Sequence, residues 1–140
     1  MTAEAQSREE EANMDEKKMH ELAEAILDAW NSQDVESVLA CYTDNVRYVD
    51  PNTHGPVEGT DAMRRYLTKL FRTWKMHWRL KEAFMFNDRR GCALLWRATL
   101  QRAGGGKTVD VDGMDLVIVK DGRLQRNEVY FDRAALASLI

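Results

Sequence analysis

A chain of 140 residues fits one domain, is too short for two, and buries enough surface to fold without a disulfide or metal staple. Its 20 basic and 23 acidic residues leave a net charge of −3, mixed along the chain, which argues against the one-sided basic surplus of a nucleic-acid binder. Apolar residues at 44% and charged residues at 31% read as a soluble globular chain, and no apolar run approaches the roughly 20 residues of a membrane span.

Residues 1–13 are Glu-rich without apolar spacing and read as a mobile tail or a frayed extension of the first helix. The charged stretch 4–18 lacks the apolar centre of a signal peptide, so a cytoplasmic location is expected, with the folded domain over residues 14–140. From Met19 the pattern changes: Met19, Leu22, Ala23, Ile26, Leu27 and Trp30 fall on one helical face. Asp34 is placed to cap a short second helix with Val35, Val38, Leu39 and Tyr42 on its apolar side. A short strand is expected over 46–50, ended by Pro51. A third helix follows Gly59 with Thr60 as its cap and a stripe of Met63, Tyr66, Leu67, Leu70, Phe71 and Trp74.

After Trp74 the period becomes two. Met76, Trp78, Leu80, Phe84 and Phe86 form the apolar set of one strand, and turn residues at 87–91, 103–106 and 121–122 separate three more, at 92–102, 107–119 and 124–131. A last helical turn spans 133–139. Hairpin-linked strands with helices to one side predict an α+β domain, a curved antiparallel sheet wrapped by three helices in the shape of a cone. Cys41 and Cys92 sit in apolar stretches and read as buried free thiols, while His20, His54 and His77 show no metal-ligand spacing, so no metal is expected.

Function should appear as polar residues where the pattern predicts core. One face of the 107–119 strand reads Val109, Val111, Gly113, Asp115, Val117 and Val119, a carboxylate among valines. Asp115 there must meet a partner or stay protonated. The alternative is a bulge after Gly113 that turns it to solvent. Tyr48 and Asp50 lie two residues apart, so both can point into a pocket, unless Asp50 merely caps the loop before Pro51. Arg97 is either a solvated sheet residue or a bridge between carboxylates inside the cone. Asp132 is either the cap of the last helical turn or a functional acid.

The stretch YTDNVRYVDP at 42–51, GTDAMRRYL at 59–67, and GRL at 122–124 leading to VYFD at 129–132 resemble the nuclear transport factor two superfamily, in its SnoaL-like and ketosteroid-isomerase-like branch. The resemblance covers about residue 19 to the C-terminus and implies the cone-shaped, cystatin-like fold. It implies a general base at Asp50, oriented by Tyr48, and an oxyanion partner at Asp115. The first helix holds apolar residues such as Ile26 where ketosteroid isomerases carry their oxyanion tyrosine, and Tyr48 is the available substitute. Some positions resemble limonene epoxide hydrolase instead, with Arg97 and Asp132 as a water-activating pair and Thr99 in place of that family's acid.

The function so implied is a cofactor-free isomerase or cyclase acting by proton transfer on a small apolar, steroid- or polyketide-like metabolite. Val46, Trp30, Trp96, Val129 and Phe131 are expected to line its pocket. Alternatives are epoxide-hydrolase-like water addition, a non-catalytic ligand binder, and an association domain. The sheet face left uncovered by the helices, through which members of the superfamily commonly pair, implies a homodimer, while the charge balance and the lack of a long apolar run predict no nucleic-acid or membrane partner.

Overall fold

The computed structural model describes the backbone of residues 3–140 and the side chains of residues 16–140; the leader expected as a tail, residues 1–13, lies outside the residues described in full. Helices α1 (Ala3–Ser32) and α2 (Val35–Leu39) precede strand β1 (Tyr42–Val49) and a two-residue strand β2 (Val57–Glu58). Helix α3 (Thr60–Thr73) follows, then the long strands β3 (Trp74–Met85), β4 (Gly91–Arg102), β5 (Thr108–Lys120) and β6 (Arg123–Phe131), and a 3₁₀ turn at Arg133–Leu139. The sheet order is β2-β1-β6-β5-β4-β3. This is the expected α+β architecture, with one pairing more varied than the hairpins implied: β1 joins β6 in parallel, while the other neighbours are antiparallel.

Alternation sorts the sheet into two faces. The inner face of β4 carries Cys92, Leu94, Trp96, Ala98 and Leu100, all buried, against the helices. Ile26 of α1, Val38 of α2 and Met63 and Leu67 of α3 are at most 1% exposed and complete the core. Burial on this scale contributes roughly 1.5–3 kcal/mol for each large aliphatic side chain. Asp34 caps α2 as expected, accepting from the Ser37 N–H at 3.2 Å. Thr60 does not cap α3: the cap is Gly59, whose φ of 83° glycine alone adopts freely, and Thr60 is already helical.

The exposed edge of β3 is closed by side chains rather than by another strand. Asn31 at the end of α1 donates to the Trp78 carbonyl at 2.9 Å and accepts from its N–H at 2.7 Å. Gln33 likewise donates to the Trp74 carbonyl at 3.0 Å and accepts from the Met76 N–H at 2.7 Å. Two carboxamides thus imitate a neighbouring strand, which satisfies an edge that would otherwise invite pairing. They also hold Trp74, Met76 and Trp78 in position.

Three expectations change. Trp74 is not on the stripe of α3 but opens β3. A register shift between Leu80 and Glu82 turns the rest of β3 over, so Ala83 faces inward and Phe84 stands outside, 54% exposed. Cys41 is only partly buried, whereas Cys92 is buried; both are free. In β5 the register with β4 runs unbroken through Gly113 and Asp115, so no bulge turns Asp115 to solvent. Gly113 lies opposite Trp96, and a Cβ there would come within 2.5 Å of the indole ring. Among the described residues no helix is long and apolar enough to cross a membrane.

Candidate active site

Strand alternation puts Val46, Tyr48 and Asp50 on the inner face of β1, and Pro51 turns the chain immediately afterwards. That turn folds the following amides back onto Asp50. Its Oδ1 accepts from the N–H groups of Asn52 at 2.7 Å and Thr53 at 3.1 Å, the loop-capping role open to an aspartate in a turn. Its Oδ2 accepts from the Tyr48 hydroxyl at 2.8 Å and from the Tyr66 hydroxyl, which α3 brings across the gap. Four donors occupy the roughly four lone-pair positions of a carboxylate. Burial, reinforced by the Asp50 charge, pushes the hydroxyls of Tyr48 and Tyr66 well above the ordinary tyrosine range, so both remain donors.

Asp50 lies in the wall of a cavity of about 50 Å³ under the inner face of the sheet. An arc of touching rings runs from Tyr66, which does not itself line the cavity, into the cavity wall. Tyr66 meets Tyr48 at 5.4 Å between centroids, Tyr48 stacks on Trp30 at 5.8 Å, and Trp30 meets Trp78 edge-on at 5.5 Å. Trp78 then meets Trp96, and Trp96 meets Phe131, each at 6.2 Å. Trp30, Trp96, Val129 and Phe131 line the cavity, but Val46 does not: it is fully buried in the core.

Asp115 lies in the core and does not line the cavity. It is joined to the cavity through Trp96, whose indole N–H donates to Oδ1 at 2.9 Å. Burial pushes its carboxyl up to about 6; the Trp96 donor and the nearby Asn127 amide dipole pull the other way, and the Asp50 charge adds to the rise. Of the two expected outcomes, a partner or a retained proton, the partner is present in Trp96. The same neighbourhood holds a buried relay in which Trp30 donates to the Tyr42 hydroxyl at 3.2 Å and Tyr42 donates to Asn127 Oδ1 at 2.7 Å. Asn127 Nδ2 has no partner in hydrogen-bonding geometry. Burial, with the Asp115 charge, raises the Cys92 thiol to about 11, so it is not an activated nucleophile.

Two expected residues are elsewhere. Arg97 alternates with Trp96 and therefore points to the outer face, where it bonds to Asp112 at 3.3 Å and Asp110 at 3.5 Å. Asp132 is exposed and accepts from the Ala134 N–H at 2.9 Å, which is the cap role alone. The water-activating pair therefore does not converge on the cavity, and Tyr130 beside it stands outside, 52% exposed. Tyr66, Trp74 and Trp78 are the site residues the sequence reading missed. All three sit in amphipathic stretches where an aromatic residue reads as core. Among the described residues no group of three or more His, Cys, Asp or Glu is arranged to hold a metal ion.

The family model for the SnoaL-like domain matches residues 23–127. No curated protein matches the chain by sequence. Among solved structures, an NTF2-like protein of unknown function from Burkholderia pseudomallei superposes with a TM-score of 0.76 at 18% identity, over 88% of this chain and 97% of that one. A proposed polyketide cyclase from Xanthomonas campestris gives 0.78 at 17% identity, over 89% and 98%. A ketosteroid isomerase-like protein from Erwinia carotovora gives 0.65 at 20% identity, over 81% and 92%. At these identities the likeness is one of fold.

Proposed function

The chain belongs to the SnoaL-like domain family, and within it we propose an isomerase- or cyclase-type enzyme that moves a proton on a small, largely apolar carbonyl compound. The observation that carries this reading is the buried Asp50, 8% exposed, in the wall of an aromatic cavity with two tyrosine hydroxyls on one oxygen. The polyketide cyclase and isomerase descriptions of structural neighbours lend it support.

The chemistry follows from the lone-pair count. Asp50 can accept a proton only when one donor leaves it, and Tyr66, half-buried on the neighbouring groove, is the one free to turn. Its hydroxyl moves to the substrate carbonyl oxygen as the Cα–H bond next to that carbonyl breaks. The proton passes to Asp50 Oδ2, and the electron pair of that bond enters the carbonyl group, giving an enolate held by the phenol. Return of the proton at another carbon isomerises the substrate. Attack of the enolate carbon on a second carbonyl closes a ring. Every step is a proton transfer or a carbon–carbon bond formation, so no redox partner is consumed.

The test is deuterium wash-in beside the carbonyl of a panel of simple ketones, followed by NMR in heavy water. Removing a general base costs about 10²–10⁴-fold, and losing one oxyanion donor about 10²–10³-fold. Asp50→Asn should fall in the first range and Tyr66→Phe in the second. A fully active Asn variant removes Asp50 as the base.

A sheet-to-sheet homodimer is the second part of this reading. The outer face carries Leu95, Met114 and Leu116 beside the exposed rings of Phe84 and Tyr130, a patch that a two-fold copy would cover. Light scattering on a dilution series checks it, and a particle of monomer mass at micromolar concentration overturns it.

A further inference from the structure

The inner cavity opens toward a second space. An outer groove of about 460 Å³ shares Asn52, Leu70, Trp74 and Leu136 with it. Small-molecule sites usually span roughly 300–1,000 Å³. The inner cavity falls far below that range and the groove falls inside it. A substrate whose reacting end reaches Asp50 must therefore leave most of its bulk in the groove.

The groove gathers basic rather than acidic side chains, as does the pocket at Lys75 and His77 on the other side of Trp74. The protein is net acidic, yet no Asp or Glu side chain lines the groove; beside Tyr66 and the last residue, Ile140, it holds three basic side chains, His54, Lys69 and Arg133. They come from three separate elements: the loop after β1, helix α3 and the terminal 3₁₀ turn. None of the three has an ion-pair or side-chain hydrogen-bond partner among the described residues. Five arginines elsewhere, Arg47, Arg64, Arg90, Arg97 and Arg126, are engaged with neighbouring carboxylates, whereas the exposed Arg65 and Arg72 are not, among the described residues. The acids nearest in sequence are also occupied: Glu58 with Arg47 at 3.6 Å, and Asp132 with the Ala134 N–H.

We propose that the groove is an anion subsite: the substrate is an amphipathic organic anion, its uncharged carbonyl end in the aromatic cavity and its carboxylate or phosphate between Lys69 and Arg133. This deepens the proton-transfer reading and rests on it for the placing of the carbonyl end. It also gives the molecule opposite polarity along one path. A cationic outer groove orients the anion, and the carboxylate at the inner end repels it, so the substrate enters carbonyl first.

Binding can be tested without turnover. The probes are 6-oxoheptanoate, its methyl ester, the phosphate monoester of a methyl ketone of the same length, and the matching trimethylammonium ketone. Each is titrated by NMR into wild type, Asp50→Asn and the double variant Lys69→Gln/Arg133→Gln, with thermal melts to confirm folding. Exposed ion pairs are weak, each up to about fivefold in affinity, so two of them should favour the carboxylate over the ester by about 10-fold. That preference should shrink at high salt and largely vanish in the double variant. The phosphate probe separates the two anion sources by its affinity relative to the carboxylate. Equal binding of acid and ester, a preference untouched by the double variant, tighter binding of the ammonium probe, or no binding by any probe overturns the proposal. Asp50→Asn should retain the preference, so a failed base assignment and a failed anion subsite give different results.

Discussion

Asp50 and Asp115 are withdrawn from water to the same degree, 8% and 7% exposed, and stand on the inner face of one sheet. Their surroundings differ in the number of donors. Asp50 sits where a strand ends, so free backbone amides and two phenols can reach it, and all its acceptor positions are filled. Asp115 sits in mid-strand, where the backbone is committed to the ladder, and its good hydrogen bond is the one from Trp96. In mid-strand, burial is left largely uncompensated, which is why the Asp115 carboxyl rises to about 6. The strand end surrounds its carboxyl with donors, and the strand middle leaves its carboxyl with one.

Changes at the two positions should separate activity from stability. The largest effect is on turnover: Asp50→Asn, expected to lose 10²–10⁴-fold of exchange, should melt at or slightly above the wild-type temperature, because a functional buried charge often costs stability. A melt that falls steeply would show that Asp50 mainly holds the loop. The next effect is on stability and depends on pH. The folded state of Asp115 ionises near 6, above its ordinary value of 3.8, so the fold is favoured below that ordinary value and loses stability as pH rises through 6. Asp115→Asn cannot ionise and should escape that loss. The difference between the two proteins should grow by on the order of 3 kcal/mol between about pH 4 and pH 7, read from denaturant melts. A gap that stays constant with pH would show that Asp115 is ionised throughout. The smallest effect belongs to the exposed aspartate outside both regions: Asp132→Ser should cost a few tenths of a kcal/mol and leave exchange intact.

The same contrast explains what was legible in the sequence. A carboxylate among valines in 109–119 stood out because strand alternation has period two, and the unbroken β4–β5 register kept that parity. Tyr48 and Asp50 were legible by the same rule. Arg97 was placed inward on the strength of a family pattern, although alternation with buried Trp96 already assigned it to the outer face. Tyr66 was hidden because an aromatic on a helical stripe looks the same whether its hydroxyl is idle or bound to a carboxylate on another element. The turn of β3 at Leu80–Glu82 had no glycine or proline to announce it, so Phe84 was assigned to the wrong face. Cavity size was beyond reach, since it depends on how several large rings share one space.

Gly113 gives that sharing a further meaning. With no side chain, it leaves the indole of Trp96 room to lie across β5, where the ring both closes the cavity and supplies the N–H that Asp115 accepts. A smaller residue at 96 would widen the chamber and strip a buried carboxyl of its donor in the same stroke. A side chain at 113 would displace the ring toward the cavity or away from the acid. Cavity size and the hydrogen bonding of a buried carboxyl are therefore geared together through one ring, and any route from this chain to a roomier relative has to find Asp115 another donor on the way.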